Sequence, residues 1–258
     1  MAETEHILNV DNLNIFYGKF QAVNDVSFNV YKGEIFGLLG PNGAGKTSTL
    51  SAVEGLLKQQ SGTITVAGYD TLKQPLHARS ALGVQLQATS FQPELNVVEI
   101  LQLYAGIYGV PMTREKIMTI LKDINLTDAE NKRFGQLSGG QQQRVSLVIS
   151  SIHDPNLVLL DEPTSGLDPQ SRRQLWVRME AIREKGNAVL LTTHSMEEAE
   201  AVCDRISIID HGRIIATGTP QGLIDKHRDD PEVIKVSRRG RITLEDVFIG
   251  LTGSAVRS

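Results

Sequence analysis

The chain has 258 residues, of which 40% are apolar and 22% are charged, and this composition is typical of a globular protein with a substantial core. Its net charge of −4 provides no basic surface, so we expect no nucleic-acid partner. The single cysteine, Cys203, excludes an internal disulfide framework and is predicted to be a small buried residue. The acidic N-terminus predicts no signal peptide, and no run approaches the roughly 18 apolar residues of a membrane span. Any membrane-spanning part must therefore come from another chain.

The N-terminal region alternates short apolar stretches with turns. These stretches cover residues 7–10, 13–16, 22–23 and 26–30. The last one alternates apolar and polar residues with a period of two, which indicates a half-buried strand. Residues 17–19 are predicted to form a loop between strands, and residues 61–68 a further strand bounded by turn residues.

A glycine-rich stretch follows and fits the phosphate-binding pattern of Gly, four residues and Gly-Lys-Ser/Thr. The apolar run 34–39 before it predicts a buried strand, and a helical pattern starts at Lys46 and continues through Leu57. Backbone N–H groups and the helix N-terminus would then point at one anion. We expect Lys46 to reach the β- and γ-phosphates of a nucleotide and the Thr47 hydroxyl to hold Mg²⁺. The predicted phosphate site consists of Gly40, Pro41, Asn42, Gly43, Ala44, Gly45, Lys46, Thr47 and Ser48.

The middle of the chain has a different pattern. Apolar residues recur with helical spacing between residues 95 and 152, interrupted by Pro111 and by the turn residues 138–140. After residue 154 strands and helices alternate again, with strands predicted at 157–160, 188–193 and 205–209 and a helix at 170–184. A helical segment is therefore predicted to be inserted into an α/β domain.

The strand at 157–160 leads directly into two carboxylates. At the tip of a buried strand beside a phosphate loop, Asp161 is predicted to hold Mg²⁺, usually through water. Glu162 points differently and is predicted to orient and deprotonate an attacking water.

A second glycine motif stands within the helical segment. Residues 137–141 read Leu-Ser-Gly-Gly-Gln, a combination that chance would produce in roughly one chain in several thousand. Its glycines also permit close backbone approach to an anion, with a helix behind them. A single nucleotide needs only one such phosphate-binding motif. Two motifs in one chain are expected in a dimer in which each subunit contributes one of them to the ATP of the other subunit.

These motifs, in this order, resemble those of the ATP-binding subunits of ATP-binding-cassette (ABC) transporters over nearly the whole chain. Residues 40–47 resemble Walker A, residues 157–162 Walker B and residues 137–141 the family signature. The resemblance implies an α/β fold, namely a P-loop NTPase core with an N-terminal antiparallel β region and an inserted α-helical subdomain. It implies one ABC ATPase domain over residues 1–258, with its core at 1–87 and 153–220, its helical subdomain at 88–152 and a tail at 221–258.

The resemblance also implies roles for residues outside these motifs. Tyr17 matches the aromatic residue that stacks on adenine, and Gln87 matches the Q-loop glutamine that senses Mg²⁺ and faces the membrane partner. Gln85 competes for that role, but the family spacing from Gly83 favours Gln87. Residues 165–168 resemble the D-loop at the dimer interface, and His194 matches the switch histidine that contacts the γ-phosphate.

Two copies, either identical or from a related ATPase, are expected to sandwich two MgATP at the cytoplasmic face of the cell membrane, bound to an integral membrane transporter subunit. The nucleotide would lie between one subunit's Walker A and the other's signature. Glu162 would activate water, while Lys46 and His194 would stabilise phosphate charge. The signature residues predicted to bind this nucleotide are Ser138, Gly139, Gly140 and Gln141. Those predicted to serve Mg²⁺ are Thr47, Gln87 and Asp161.

The C-terminal segment 243–253, and residues 87–91 with 94–95, resemble the ATPases of drug, antibiotic and lipid exporters. The segment between residue 220 and that ending is shorter than in many relatives. The ATPase of an ABC importer is the nearest alternative within the family. A non-transport ABC protein of DNA repair would need a long coiled coil between Walker A and signature, and an ABC translation factor would need two cassettes. Neither feature is present in the sequence.

Overall fold

The computed structural model describes residues 5–85, 91–237 and 241–253, and an antiparallel sheet opens the chain. It has the strand order β2-β1-β4-β5. Neighbouring strands pair antiparallel, and β1 and β2 are each 12 residues long. The strands are β1 (His6–Tyr17), β2 (Phe20–Tyr31), β4 (Ser61–Val66) and β5 (Tyr69–Asp70).

The two long strands replace the short N-terminal stretches expected from the apolar pattern. Asn12 and Asp25 have positive φ angles of 47° and 55° and stand where the register between β1 and β2 shifts. Asn12 Nδ2 donates to Asp25 Oδ1 over 2.8 Å. The polar residues that looked like turns are therefore bulges, which the pairing continues past.

A second sheet has the strand order β10-β9-β3-β8-β7-β6. Its pairs are parallel except for the antiparallel hairpin of β9 and β10. All residues of the strands β3 and β8 are buried, as in parallel sheets that are covered on both faces. The strands are β3 (Ile35–Leu39), β6 (Leu82–Val84), β7 (Leu157–Asp161), β8 (Ala188–Thr193), β9 (Arg205–Asp210) and β10 (Arg213–Gly218).

Helices connect these strands, and most of them begin at a side chain that caps the first turn. The helices are α1 (Lys46–Val53), α2 (Pro75–Ser80), α3 (Val97–Ile107), α4 (Arg114–Asp123), α5 (Gly139–Ser150), α6 (Pro169–Glu184), α7 (Met196–Val202), α8 (Pro220–His227), α9 (Pro231–Val236) and α10 (Leu244–Thr252). Short 3₁₀ turns lie at Thr127–Ala129 and Phe134–Gln136. Across the described ranges, every helix is too short or too polar to cross a bilayer.

Three clusters of buried apolar side chains hold the elements together. The first joins the antiparallel sheet and α1 to one face of the second sheet. The second covers the opposite face with α6, α7 and the C-terminal helices, and it contains Cys203, which is buried as expected. The third draws its buried members from residues 91–149, among them residues of α3, α4 and α5. The α/β fold with an antiparallel N-terminal region is thus confirmed, while the subdomain boundaries near residues 87 and 152 stay a prediction.

Candidate functional site

The parallel strands β3, β8 and β7 bring the predicted site residues to one edge of the second sheet. Leu39 pairs with Thr193 and Asp161 pairs with Thr192, in register. The carboxyl ends of adjacent parallel strands meet at the same edge, where ligands of open α/β sheets bind. The glycine loop, the Asp161–Glu162 pair and His194 therefore emerge side by side.

The glycine loop connects β3 to α1 in a path that larger residues could not follow. The Gly40 N–H donates to the Thr193 carbonyl oxygen over 3.2 Å, and a Cβ at Gly40 would lie 2.4 Å from the Ile209 carbonyl oxygen. Gly45 has a φ of 105°, and a Cβ there would lie 2.6 Å from the Ala22 carbonyl oxygen. Only glycine fits at both positions. The loop can therefore turn tightly, which brings its backbone close to the N-terminus of α1.

Lys46 is held inside this loop, with only 5% of the residue exposed. Its Nζ donates to the carbonyl oxygens of Gly40 and Pro41 over 2.8 and 3.3 Å. The same Nζ lies 3.3 Å from Glu162 Oε1. A buried ammonium group among carbonyl oxygens is thus fixed at the helix N-terminus, where it can neutralise a phosphate.

Glu162 has a left-handed backbone with a φ of 45°, which directs the chain sharply away from the end of β7. Its N–H donates to the carbonyl and hydroxyl oxygens of Thr192, each over 3.1 Å. Its Oε2 lies 3.2 Å from His194 Nδ1. The Glu162 carboxylate therefore lies between the ammonium of Lys46 and the ring of His194.

Asp161 faces the Thr47 hydroxyl, whose Oγ1 donates to Asp161 Oδ2 over 3.3 Å. The Thr192 hydroxyl donates to the other carboxylate oxygen. Hydroxyl and carboxylate oxygens are ligands for Mg²⁺, which takes one or two protein carboxylates together with substrate phosphates. Within the described ranges no cluster of three or more His, Cys, Asp or Glu side chains could hold a metal by itself. The donor set therefore fits a magnesium ion shared with a nucleotide.

Glu54, which follows α1, adds a second carboxyl near this position. Burial and the charge of Asp161 raise the pKa of Glu54 to about 7. Sequence reasoning missed this residue, although it stands seven positions after Thr47, a spacing that places both on one helix face.

A cleft of about 220 Å³ opens above the glycine loop. Residues 42–48 and Glu162 line it, and so do two aromatic residues, Tyr17 and Phe20. Tyr17 is 51% exposed and its hydroxyl lies 3.3 Å from Ser48 Oγ. Phe20, which is 65% exposed, was not among the predicted residues. The position of this aromatic residue directly after the predicted loop 17–19, close to Tyr17, was the sequence signal that could have identified it.

A second cleft of about 370 Å³ lies on the other side of Glu162. His194 lines it together with Ser165 and Gly166 of the predicted D-loop. Asp168, at the end of that loop, accepts hydrogen bonds from the N–H groups of Gln170 and Ser171, each over 3.0 Å, and so caps α6. Hydrogen bonds from Ser171 lower the pKa of Asp168.

Glu198 of α7 also lines this second cleft and is 1% exposed. Burial raises its pKa, while hydrogen bonds from Thr193, Thr164 and Trp176 act in the opposite direction. The carboxyl therefore links the strand before His194 to the segment before the D-loop and to α6. No sequence signal distinguished it from a solvated helix residue.

None of the signature residues 138–141 lines either cleft. Ser138 caps α5 through a reciprocal pair of hydrogen bonds: Gln141 N–H donates to Ser138 Oγ over 3.3 Å, and Ser138 N–H donates to Gln141 Oε1 over 2.9 Å. Ser138 and Gly139 are exposed, whereas Gly140 is buried against Ser171 of α6. A Cβ at Gly140 would lie 2.4 Å from Ser171 Oγ.

The predicted Q-loop residue Gln87 lies outside the described residues. Its competitor Gln85 is described: its N–H donates to the Leu159 carbonyl oxygen over 3.0 Å, and its Nε2 donates to Gln143 Oε1 of α5 over 2.9 Å. Gln85 thus connects the end of β6 to the signature helix.

Comparisons with known proteins agree with this geometry. The family model for ABC transporters matches residues 23–165. A Nod factor export ATP-binding protein I of Burkholderia orbicola (strain AU 1054) is 35% identical, covering 94% of this chain and 95% of its own. A linearmycin resistance ATP-binding protein of Bacillus subtilis (strain 168) is 38% identical over 85% of this chain and 71% of its own.

Solved structures give the same picture. The structure of an ATP-binding subunit of an ABC transporter superposes with a TM-score of 0.81 at 29% identity, covering 95% of this chain and 99% of the other. An ATP-binding cassette of an ABC transporter in its ADP conformation has a TM-score of 0.77 at 26% identity, covering 90% of this chain and 98% of the other.

The two signature glycines should respond differently to alanine. Gly140→Ala should lower the free energy of unfolding by about 1–3 kcal/mol through overpacking against Ser171. Gly139→Ala is the matched control, because a Cβ there meets nothing within 4 Å, and it should be neutral. In a Ser171→Gly background, Gly140→Ala should become neutral or stabilising, since the clash is removed. Denaturant unfolding measures all three effects, and equal destabilisation by Gly140→Ala in both backgrounds would contradict the packing role.

Proposed function

The chain belongs to the ABC transporter family as an ATP-binding subunit, and from that premise we propose that two copies, or one copy and a related ATPase, share two MgATP sites. The family hydrolyses ATP to power transport. The observation that carries the proposal is the position of the signature. Ser138 and Gly139 are exposed on a capped helix N-terminus but line no part of the cleft above the glycine loop.

An exposed helix N-terminus with an adjacent glycine is suited to a phosphate. The glycine loop and Lys46 already provide such a site for the chain's own nucleotide. The exposed signature is therefore available to the nucleotide of a second subunit. In a dimer with shared sites, the glycine loop and the signature of each chain both bind a nucleotide.

The chemistry follows from the residues around Glu162. Its carboxylate would take the proton of a water that attacks the γ-phosphorus, and ADP would leave with the electrons of the broken bond. Lys46 and His194, both near the carboxylate, would stabilise charge on the γ-phosphate. Thr47, Asp161 and Gln87 would hold Mg²⁺, which would supply positive charge to the nucleotide's phosphates. Tyr17 would stack on the adenine, with Phe20 beside it in the same cleft.

Export is the direction of transport that the relatives favour. The names of the two relatives above refer to Nod factor export and to linearmycin resistance. The resemblance of the C-terminal segment 243–253 to exporter ATPases points the same way. We assign the chain to an exporter of drugs, antibiotics or lipids, working at the cytoplasmic face of the membrane with a separate integral membrane subunit.

The proposed base is tested by Glu162→Gln, which keeps the shape of the side chain but cannot accept the proton. ATP hydrolysis should fall by about 10²-fold or more, while ATP still binds and a closed dimer accumulates. Glu184→Gln, the same exchange at an exposed residue near the end of α6, is the control and should hydrolyse ATP normally. Hydrolysis near the wild-type rate in Glu162→Gln would remove this residue from the role of base.

Shared sites are tested by placing Lys46→Ala and Ser138→Arg in one subunit opposite a wild-type partner, using two affinity tags to purify the mixed dimer. With shared sites, one site lacks the lysine and the other receives the blocking arginine, so ATPase activity should be nearly lost. With sites inside single subunits, the wild-type subunit would keep about half of the activity, if the sites are independent.

The control dimer pairs a wild-type subunit with one carrying Lys185→Ala and Ser80→Arg, both at exposed positions. It should retain activity, which shows that tagging and mixing are harmless. Activity near half of wild-type in the Lys46→Ala, Ser138→Arg mixed dimer would reject shared sites.

A further inference from the structure

A cavity of about 520 Å³ lies where the end of α4 and the middle of α5 face the first turns of α6. Its charged and polar lining residues are Asp123 on α4, Asn125 just after it, Arg144 on α5, and Gln170, Arg173, Gln174 and Arg178 on α6. None of the described residues that line it also lines the cleft above the glycine loop. The cavity is thus a separate feature of the molecule.

The positive charge of this cavity has little compensation inside the chain. Arg144 is 8% exposed, and a guanidinium nitrogen donates to Gln174 Oε1. The Nε atoms of Arg144 and Arg178 are buried without a hydrogen-bond partner. In the part of the chain that the structure describes, no ion pair joins Arg144, Arg173 or Arg178 to an acidic side chain.

Burial lowers the pKa of both Arg144 and Arg178, and the charges of Asp168 and Asp123 only oppose that shift. An arginine stays protonated in a protein, so burial without a paired anion leaves a desolvated cation. An anion that enters the cavity would provide the missing partner.

The geometry of the donors and the rest of the lining define the ligand. Guanidinium groups bind phosphate through parallel hydrogen bonds, which a single ammonium group does not offer. Apolar surface comes from Ile124, Pro169 and Val177, the last of which is 64% exposed. We propose that this cavity binds a small organic phosphate, with its phosphate against the three arginines and its apolar part against Ile124 and Val177.

The position of the cavity gives this ligand a structural effect. Arg144 belongs to α5, whose N-terminus carries the signature, and Gln174 belongs to α6, which begins after Asp168. The same two helices touch at Gly140 and Ser171. A phosphate held by both helices would therefore fix the signature helix relative to α6.

Calorimetric titration of the full chain with n-hexyl phosphate tests the proposal. The expected result is binding that Arg173→Gln weakens at least about tenfold, because a charge-assisted hydrogen bond is lost. Val177→Asp, at an exposed position that should fold normally, should weaken it similarly by placing a negative charge beside the ligand. Arg183→Gln is the matched control, since Arg183 lies on α6 but pairs with Asp204 outside the cavity, and it should bind like wild-type.

Hexyl phosphate could also bind to the glycine loop. Repeating the titration in a Lys46→Ala background distinguishes that binding from binding in the cavity. The loss caused by Arg173→Gln should be the same there, because the two clefts share no described lining residue. Cosedimentation with phosphatidylcholine vesicles containing phosphatidate distinguishes the source of the phosphate. If the chain cosediments with these vesicles and Arg173→Gln abolishes the cosedimentation, the ligand is a lipid headgroup. If the chain binds hexyl phosphate but does not cosediment with the vesicles, the ligand is a free small molecule.

Three results would overturn the proposal. No binding of hexyl phosphate would remove the site, and binding unaffected by both Arg173→Gln and Val177→Asp would place the probe elsewhere. Equal affinity for n-hexanol would make the cavity an apolar pocket rather than a phosphate site. None of these outcomes bears on ATP hydrolysis, which uses other residues.

Discussion

The in-register pairing of β3, β8 and β7 is the constraint on which the predicted nucleotide site depends. It places the glycine loop, His194 and the Asp161–Glu162 pair at the ends of neighbouring strands, so contacts of about 3 Å form between residues more than a hundred positions apart. A slip of one residue would turn every side chain of a strand to the opposite face. Strands buried on both faces resist such a slip, because each face has its own apolar cluster to satisfy. The rigid sheet therefore fixes the distances between the residues of the predicted site.

The signature combines a packing residue with an exposed helix N-terminus. Gly140 permits close contact of α5 with α6, while Ser138 and Gly139 remain exposed at the capped start of α5. The packing residue holds the helix against the α/β core, and the exposed residues present its N-terminus outward. An exposed, capped helix N-terminus that does not line the cleft above its own chain's glycine loop is the reason we propose a partner subunit.

Local sequence patterns predicted the parts of the fold and site that depend on neighbouring residues. The glycine loop, the strands 157–160 and 188–193 and the helix 170–184 lie where apolar periodicity and turn chemistry indicated. The pattern failed where long-range contacts override it. Leu57 continues the helical spacing and packs on the first cluster, yet α1 ends at Val53 because Gly55 adopts a φ of 70°. The sequence did not predict the burial of Glu198 or the cavity between α4, α5 and α6, because burial of a charged residue depends on elements distant in sequence.

We propose that the nucleotide lies between one subunit's glycine loop and the partner's signature. The most direct test of this proposal is cross-linking with a short bismaleimide in a Cys203→Ala, Glu162→Gln background, since Cys203 is the only native cysteine. One subunit carries Asn42→Cys and the other Ser138→Cys, both at exposed positions. If the nucleotide is shared, a cross-linked dimer should form with MgATP, not without it, and not between two Asn42→Cys subunits. Cross-linking of both cysteines within a single chain carrying both substitutions, with no ATP-dependent dimer, would contradict it.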